Sequence, residues 1–175
     1  MERSICFTGH RPNQLGGYYG PKADKIQDFV YNSVLSAVMR AVAKGYYIFI
    51  SGGAQGMDQI AAEAVIAVKK DAPFVQLTIA RPFQSQHSKW PKVGQDRFFN
   101  ILDHADEVVD VSDDPYSAAK MQIRNEWMVD NSYIVISCWN GLQKGGTFNC
   151  IKYARRFNRP MYNVNPVTMN CDWFK

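Results

Sequence analysis

Two hydrophobic patterns alternate along the chain. Short, nearly continuous apolar runs at residues 4–8, 46–50, 74–79, 107–111, 133–137 and 161–164 predict six strands. Between them, apolar residues recur at helical spacing. Ile26, Phe29, Val30, Val34, Ala37, Val38 and Ala41 predict a first helix that stops near Gly45. Ile60, Ala61, Ala64, Val65 and Val68 mark a second, and Arg97, Phe98, Phe99, Ile101 and Leu102 a short third. A fourth is expected from about Ala118, and a fifth runs from a Gly-containing turn to about Phe157. Residues 84–91 read as a polar loop, and the residues after 164 as a short tail.

Strands buried on both faces read as continuous apolar runs, whereas half-exposed strands alternate. The alternation of such strands with helices therefore predicts an α/β fold: three layers, with a mostly parallel sheet between two layers of helices. Ligands of such sheets sit at the carboxyl ends of the strands, near the point where strand order reverses. The polar and glycine-bearing segments fall at those ends: Thr8-Gly9-His10-Arg11, Ser51 to Asp58, Arg81-Pro82 and Gly145-Gly146-Thr147. Four separate segments are thus expected on one rim.

The stretch from Ser51 to Asp58 is the most informative of them. A strand running into Gly52, Gly53 and Gly56 and then a helix leaves backbone N–H groups open to an anion, with the positive end of the helix dipole behind them. Ser51, Gly52, Gly53 and Gly56 are candidate phosphate contacts. Asp58, in the first helical turn, either compensates the dipole or binds a ribose hydroxyl. Gly145, Gly146 and Thr147 form a second candidate cradle, where Thr147 donates its hydroxyl to a phosphate or caps the helix. Thr8, Gly9, His10 and Arg11 follow the first strand, and Arg11 suits bidentate phosphate recognition. Trp90 beside Lys89 offers a stacking surface for a base, or anchors its loop.

The 175 residues fit one domain, residues 1–175, with a substantial core. No apolar run approaches a membrane span, and the chain enters its first strand without a signal-peptide core, so a soluble cytoplasmic protein is expected. Four well-separated cysteines, Cys6, Cys138, Cys150 and Cys171, read as free thiols in a reducing compartment. No ligand pair has metal spacing, so no metal site is expected; His87 and His104 read as exposed. The net charge of +4 permits an anionic partner without requiring one. Its densest cluster is Lys152, Arg155, Arg156 and Arg159, which a solvated helix face explains; aromatic residues do not read as interleaved with it. The GxGxxG spacing of a standard NAD site is missing.

The motifs Thr8-Gly9-His10-Arg11-Pro12, Ser51 to Asp58 with Ala61-Ala62-Glu63, Lys89-Trp90, Arg124-Asn125 with Met128-Val129-Asp130, and Gly145-Gly146-Thr147 with Tyr153-Ala154-Arg155 resemble the YpsA-like family of the SLOG superfamily. The likeness covers nearly the whole chain. It implies a Rossmann-like fold and a nucleotide-derived ligand, such as a nucleoside phosphate or an ADP-ribose derivative, with Arg124 and Asn125 among its contacts. It also allows a homodimer. SLOG proteins include the LOG phosphoribohydrolases and the DNA-processing protein DprA, which gives two alternatives to a binding or sensing role: hydrolysis of an N-glycosidic bond, and single-stranded DNA binding. LOG enzymes carry a Glu three residues after the Thr of their glycine turn; here that residue is Cys150. A thiol cannot replace a carboxylate in stabilising a ribosyl cation or activating water. This favours binding over hydrolysis, and nucleic acid stands third because the basic residues are few.

Overall fold

In a computed structural model describing residues 3–174, seven strands form one sheet in the order β4-β3-β2-β1-β5-β6-β7. Met1 and Glu2, read as leading into the first strand, lie outside the described residues. The strands are β1 (Ser4–Gly9), β2 (Ile48–Ser51), β3 (Gln76–Arg81), β4 (Glu107–Asp110), β5 (Ile134–Cys138), β6 (Met161–Asn165) and β7 (Asn170–Phe174). All neighbours are parallel except β6 and β7. The helices are α1 (Pro21–Ala43), α2 (Met57–Lys69), α3 (Lys92–His104), α4 (Ala118–Asp130) and α5 (Gly145–Arg156).

The two-residue period of the strands separates the layers. On β1, Ile5 and Phe7 point to the side of α1, α2 and α3, while Cys6 points to the side of α4 and α5. On β2, Phe49 and Ile50 divide in the same way. The larger core holds Phe7, Phe49, Ile60, Leu77, Ile79, Phe98 and Ile101; the smaller holds Met128, Val129, Ile151 and Met161. This is the expected three-layer, Rossmann-like sandwich. Strand order reverses between β1 and β5, so their carboxyl ends open onto the switch point.

Three elements differ from the sequence expectation; one is α3, which starts at Lys92, five residues before Arg97. The tail forms β7, an antiparallel edge strand that is mostly exposed. Its few polar and aromatic residues carry no apolar run. Asn165 sets the preceding turn, with its side-chain oxygen accepting from the N–H groups of Val167 and Thr168 at 2.9 and 3.2 Å. Helix α1 starts at Pro21, five residues before the apolar stripe, because its first turn is polar and Pro suits that position.

Phe49 is fully buried and stacks on Phe7 with ring centroids 6.1 Å apart. Phe49→Ala is expected to cost about 3–5 kcal/mol, read as a lower urea midpoint at unchanged slope. A midpoint within error of the parent would contradict this packing.

Candidate functional site

The turn after β2 is buried throughout, from Ser51 to Asp58. Ser51 donates its hydroxyl to the Asp58 carbonyl at 2.6 Å and accepts from the Gly53 N–H at 3.2 Å. Gly56 enters α2 with φ 95°, and a Cβ there would sit 2.4 Å from the His10 carbonyl. That carbonyl accepts the Met57 N–H at 3.1 Å, so the loop after β1 occupies the first amide of α2. Gly52 is required for a different reason. A Cβ on it would lie 1.2 Å from Nη1 of Arg124.

Arg124 thus fills the space that a phosphate cradle would leave open. Its Nη1 donates to Oδ2 of Asp58 at 3.2 Å, and the two side chains are only 5% and 10% exposed. Its Nε is buried with no hydrogen-bond partner. Asp58 therefore serves as the counter-ion of Arg124 beneath the glycine turn. Arg11 lies within electrostatic reach of both; burial lowers its pKa, Asp58 raises it, and Arg124 lowers it further. Guanidinium stays protonated under such shifts. Asp58 is thus paired with Arg124, and Arg11 stands near that pair at the carboxyl ends of the central strands.

Thr8 and His10 tie this centre to β5 and α5. The Thr8 side chain hydrogen-bonds to the Cys150 thiol, which burial pushes up to about 11. Cys150 is thus a closed, protonated core thiol beneath the rim. Burial raises the Cys6 and Cys138 thiols in the same way, Cys138 to about 12. His10 Nε2 accepts the Asn140 N–H at 3.1 Å, and the His10 N–H donates to the Cys138 carbonyl at 3.1 Å. Gly9 packs so tightly that a Cβ would meet Met57 at 2.5 Å.

Gly145, Gly146 and Thr147 open α5. No side chain caps this helix; its N-cap is Lys144, and a Cβ on either glycine would meet nothing. Thr147 is half-buried and does not act as the cap. Asn125 is half-buried beside Arg124.

Sequence reasoning missed the loop after β3. Gln86 is buried, and its amide N–H donates to the Gly52 carbonyl at 3.2 Å. Its position in a polar stretch concealed this role. His87 is not the exposed residue expected; its ring packs against Phe98 and Phe99 at 5.6 and 4.8 Å. His104 is exposed, as expected. Among the described residues, no group of three or more His, Cys, Asp or Glu could hold a metal, and no helix is long and apolar enough to cross a membrane.

A further correction concerns the basic helix. Arg155 lies over Trp139 and Phe174 at 5.9 and 5.5 Å, and Lys152 over Phe148 at 5.8 Å. Cations and aromatic rings do interleave on this face, because β5, α5 and β7 bring together rings that are distant in sequence. From Asn131 to Cys171 the chain carries Lys144, Lys152, Arg155, Arg156 and Arg159 and no Asp or Glu.

Sheet order, layering and rim define a Rossmann-like α/β protein with a cationic centre at its topological switch point. The profile of the YspA SLOG family matches residues 5–171, and the chain belongs to that family. It is 35% identical over 137 residues to the "Uncharacterized SPbeta prophage-derived protein YoqJ" of Bacillus subtilis, covering 71% of this chain and 80% of that one. It is 24% identical over 166 residues to a UPF0398 protein of Halalkalibacterium halodurans, covering 94% and 87%. Its fold is similar to DNA processing protein A from Helicobacter pylori, a structure described for its single-stranded DNA binding mode. There the TM-score is 0.61 at 17% identity, over 94% of this chain and 69% of that one. DprA from Streptococcus pneumoniae gives 0.58 at 15%, over 93% of this chain and half of that one.

Burial lowers the pKa of His10 from its ordinary value of 6.5, and hydrogen bonding with the side chains of Asn140 and Gln14 opposes this only in part. The folded state therefore favours neutral His10. Its contribution is whole above about pH 6.5 and is lost as pH falls, because the unfolded chain takes up a proton that the folded chain resists. His10→Gln keeps an acceptor towards Asn140 and removes the titration. The loss of stability between pH 7.5 and 5.5 is expected to be shallower in the variant; equal slopes would show that His10 is not held neutral.

Proposed function

We propose that this protein binds a nucleotide-derived anion at the carboxyl rim of its sheet, as a binding or sensing protein. One observation carries the reading: Arg11 stands within electrostatic reach of Asp58, whose carboxylate is already paired with Arg124, so two guanidinium groups beside one carboxylate leave excess positive charge at the switch point. A phosphate group satisfies that excess. Arg11 meets it in the bidentate geometry guanidinium favours, over Arg124, while the uncapped start of α5 supplies backbone N–H groups from the β5 side. Gly52 acts from beneath, by admitting the Arg124 guanidinium. Asn125 and Thr147 are half-buried at the same rim and extend the contact set.

Cys150 argues against LOG-type hydrolysis. It is fully buried and bonded to Thr8, so neither a carboxylate nor a free nucleophile stands there. Asp58 is engaged with Arg124 and does not provide a free base.

Pyrophosphate and nucleoside phosphates are expected to raise the melting temperature. A ligand at a hundredfold its Kd adds about 2.7 kcal/mol, or roughly 5–10 °C for a chain of this size. Arg11→Ala is expected to weaken binding about tenfold or more. No stabilisation by pyrophosphate or any nucleoside phosphate at millimolar concentration would overturn the reading.

A second reading is single-stranded nucleic acid binding on the outer face of α5. The alternation of Arg155 and Lys152 with Trp139, Phe148 and Phe174 favours it, since such strands bind where cations and stacking rings interleave. The fold of the H. pylori protein accords with it. Binding of a labelled oligonucleotide at low salt is expected to fall with added salt by about 0.7 log units per log unit for each phosphate neutralised. The joint change Lys152→Ala and Arg155→Ala is expected to flatten that slope. Silence at low salt removes this option.

A further inference from the structure

The rim carries a second feature beside the cationic centre. A cavity of about 410 Å³ opens next to Arg11, lined by the loop after β3, the loop after β4 and the first half of α4. Its size is that of a small-molecule site. Resting on the nucleotide reading above, we propose that this cleft receives the base of a nucleoside phosphate whose phosphate lies on Arg11 and Arg124. The ligand then extends from the switch point over β2 and β3, away from β5.

Three observations support a flat ring there. First, the walls are aromatic and braced. Tyr116 is 64% exposed yet held edge-on by buried Phe83, with centroids 5.8 Å apart and planes at 83°. Trp90 is fixed against Phe98 in a similar edge contact at 5.4 Å and 73°. Rings braced at their edges keep a face for a guest, and every base has a π-face to offer.

Second, a polar group in the lining is incompletely used. The amide N–H of Gln86 is committed to the Gly52 carbonyl, and that fixes the orientation of the amide. Its Oε1 is left buried with no hydrogen-bond partner. An acceptor shielded from water is satisfied by an amino or imino N–H of a ring once the loop gives slightly. An aliphatic anion has neither the ring nor that donor.

Third, cleft and cationic centre are one continuous structure. Arg11 lines the cleft and lies within electrostatic reach of Asp58, Arg124 and Tyr116. Gln86 lines it too and holds the turn that Arg124 fills. Met121, on the cleft wall, stands three residues before Arg124 on α4, so one helical face carries both. The two loops are tied together by Ser85, whose N–H and hydroxyl both donate to Asp114. These hydrogen bonds hold the Asp114 carboxyl below its usual range.

The test compares AMP, GMP, CMP and UMP with ribose 5-phosphate and pyrophosphate, which lack the base, by calorimetric titration into the parent chain and Tyr116→Ala. Tyr116 is exposed, so its removal leaves the core intact, and unchanged melting without ligand checks this. At least one nucleotide is expected to bind more tightly than ribose 5-phosphate. Tyr116→Ala is expected to weaken that nucleotide about 5- to 150-fold and to leave pyrophosphate within twofold. Ribose 5-phosphate binding as tightly as every nucleotide, or equal nucleotide affinity in Tyr116→Ala, overturns the base subsite while the phosphate reading stands. Absence of binding by all six compounds overturns both.

Discussion

Everything at the rim depends on the buried pair of Asp58 and Arg124. Each ion loses most of its hydration, and neither is tolerable there without the other; removing one partner of such a pair costs about 3–5 kcal/mol. The pair dictates the sequence around it. Gly52 must lack a side chain because the guanidinium occupies that volume. Gly56 must turn the chain with positive φ so that Asp58 enters the first turn of α2. Ser51 clamps the carbonyl of Asp58, and Gln86 holds the carbonyl of Gly52. Three strand ends and two helices are thereby locked in one arrangement.

The charge balance at this point links structure to function. Asp58 is paired with Arg124, and the proposed anion site rests on a second guanidinium standing close to that pair. Arg11 makes the difference. It follows β1, the central strand, so the position of its backbone is fixed by the sheet itself. His10, bonded to both Cys138 and Asn140, fixes the loop from the other side without adding charge of its own.

The sheet and its helices were legible in the pattern because buried parallel strands have a strong apolar signature. Glycine at Gly52, Gly53 and Gly56 marked the turn for the same elementary reason: a missing side chain means close approach. What approaches was not legible. The turn reads as an open anion cradle, whereas Arg124, 72 positions after Gly52, fills it from α4. Strand β7 escaped because an exposed edge strand needs no apolar run. Gln86, Phe83 and Tyr116 escaped because loop residues have no periodicity; only tertiary structure brings the ends of β3 and β4 together. Interleaved cations and rings along α5 were hidden likewise, since Trp139 comes from the loop after β5 and Phe174 from β7.

The most direct measurement is a titration of pyrophosphate into isotopically labelled protein, followed residue by residue by amide chemical shift. Saturating shifts are expected at Gly9, His10, Arg11, Arg124, Asn125 and Gly145 to Thr147, with the outer residues of α5 unmoved. Shifts confined to the outer face around Lys152 and Arg155, or none at millimolar ligand, would contradict an anion site at the switch point.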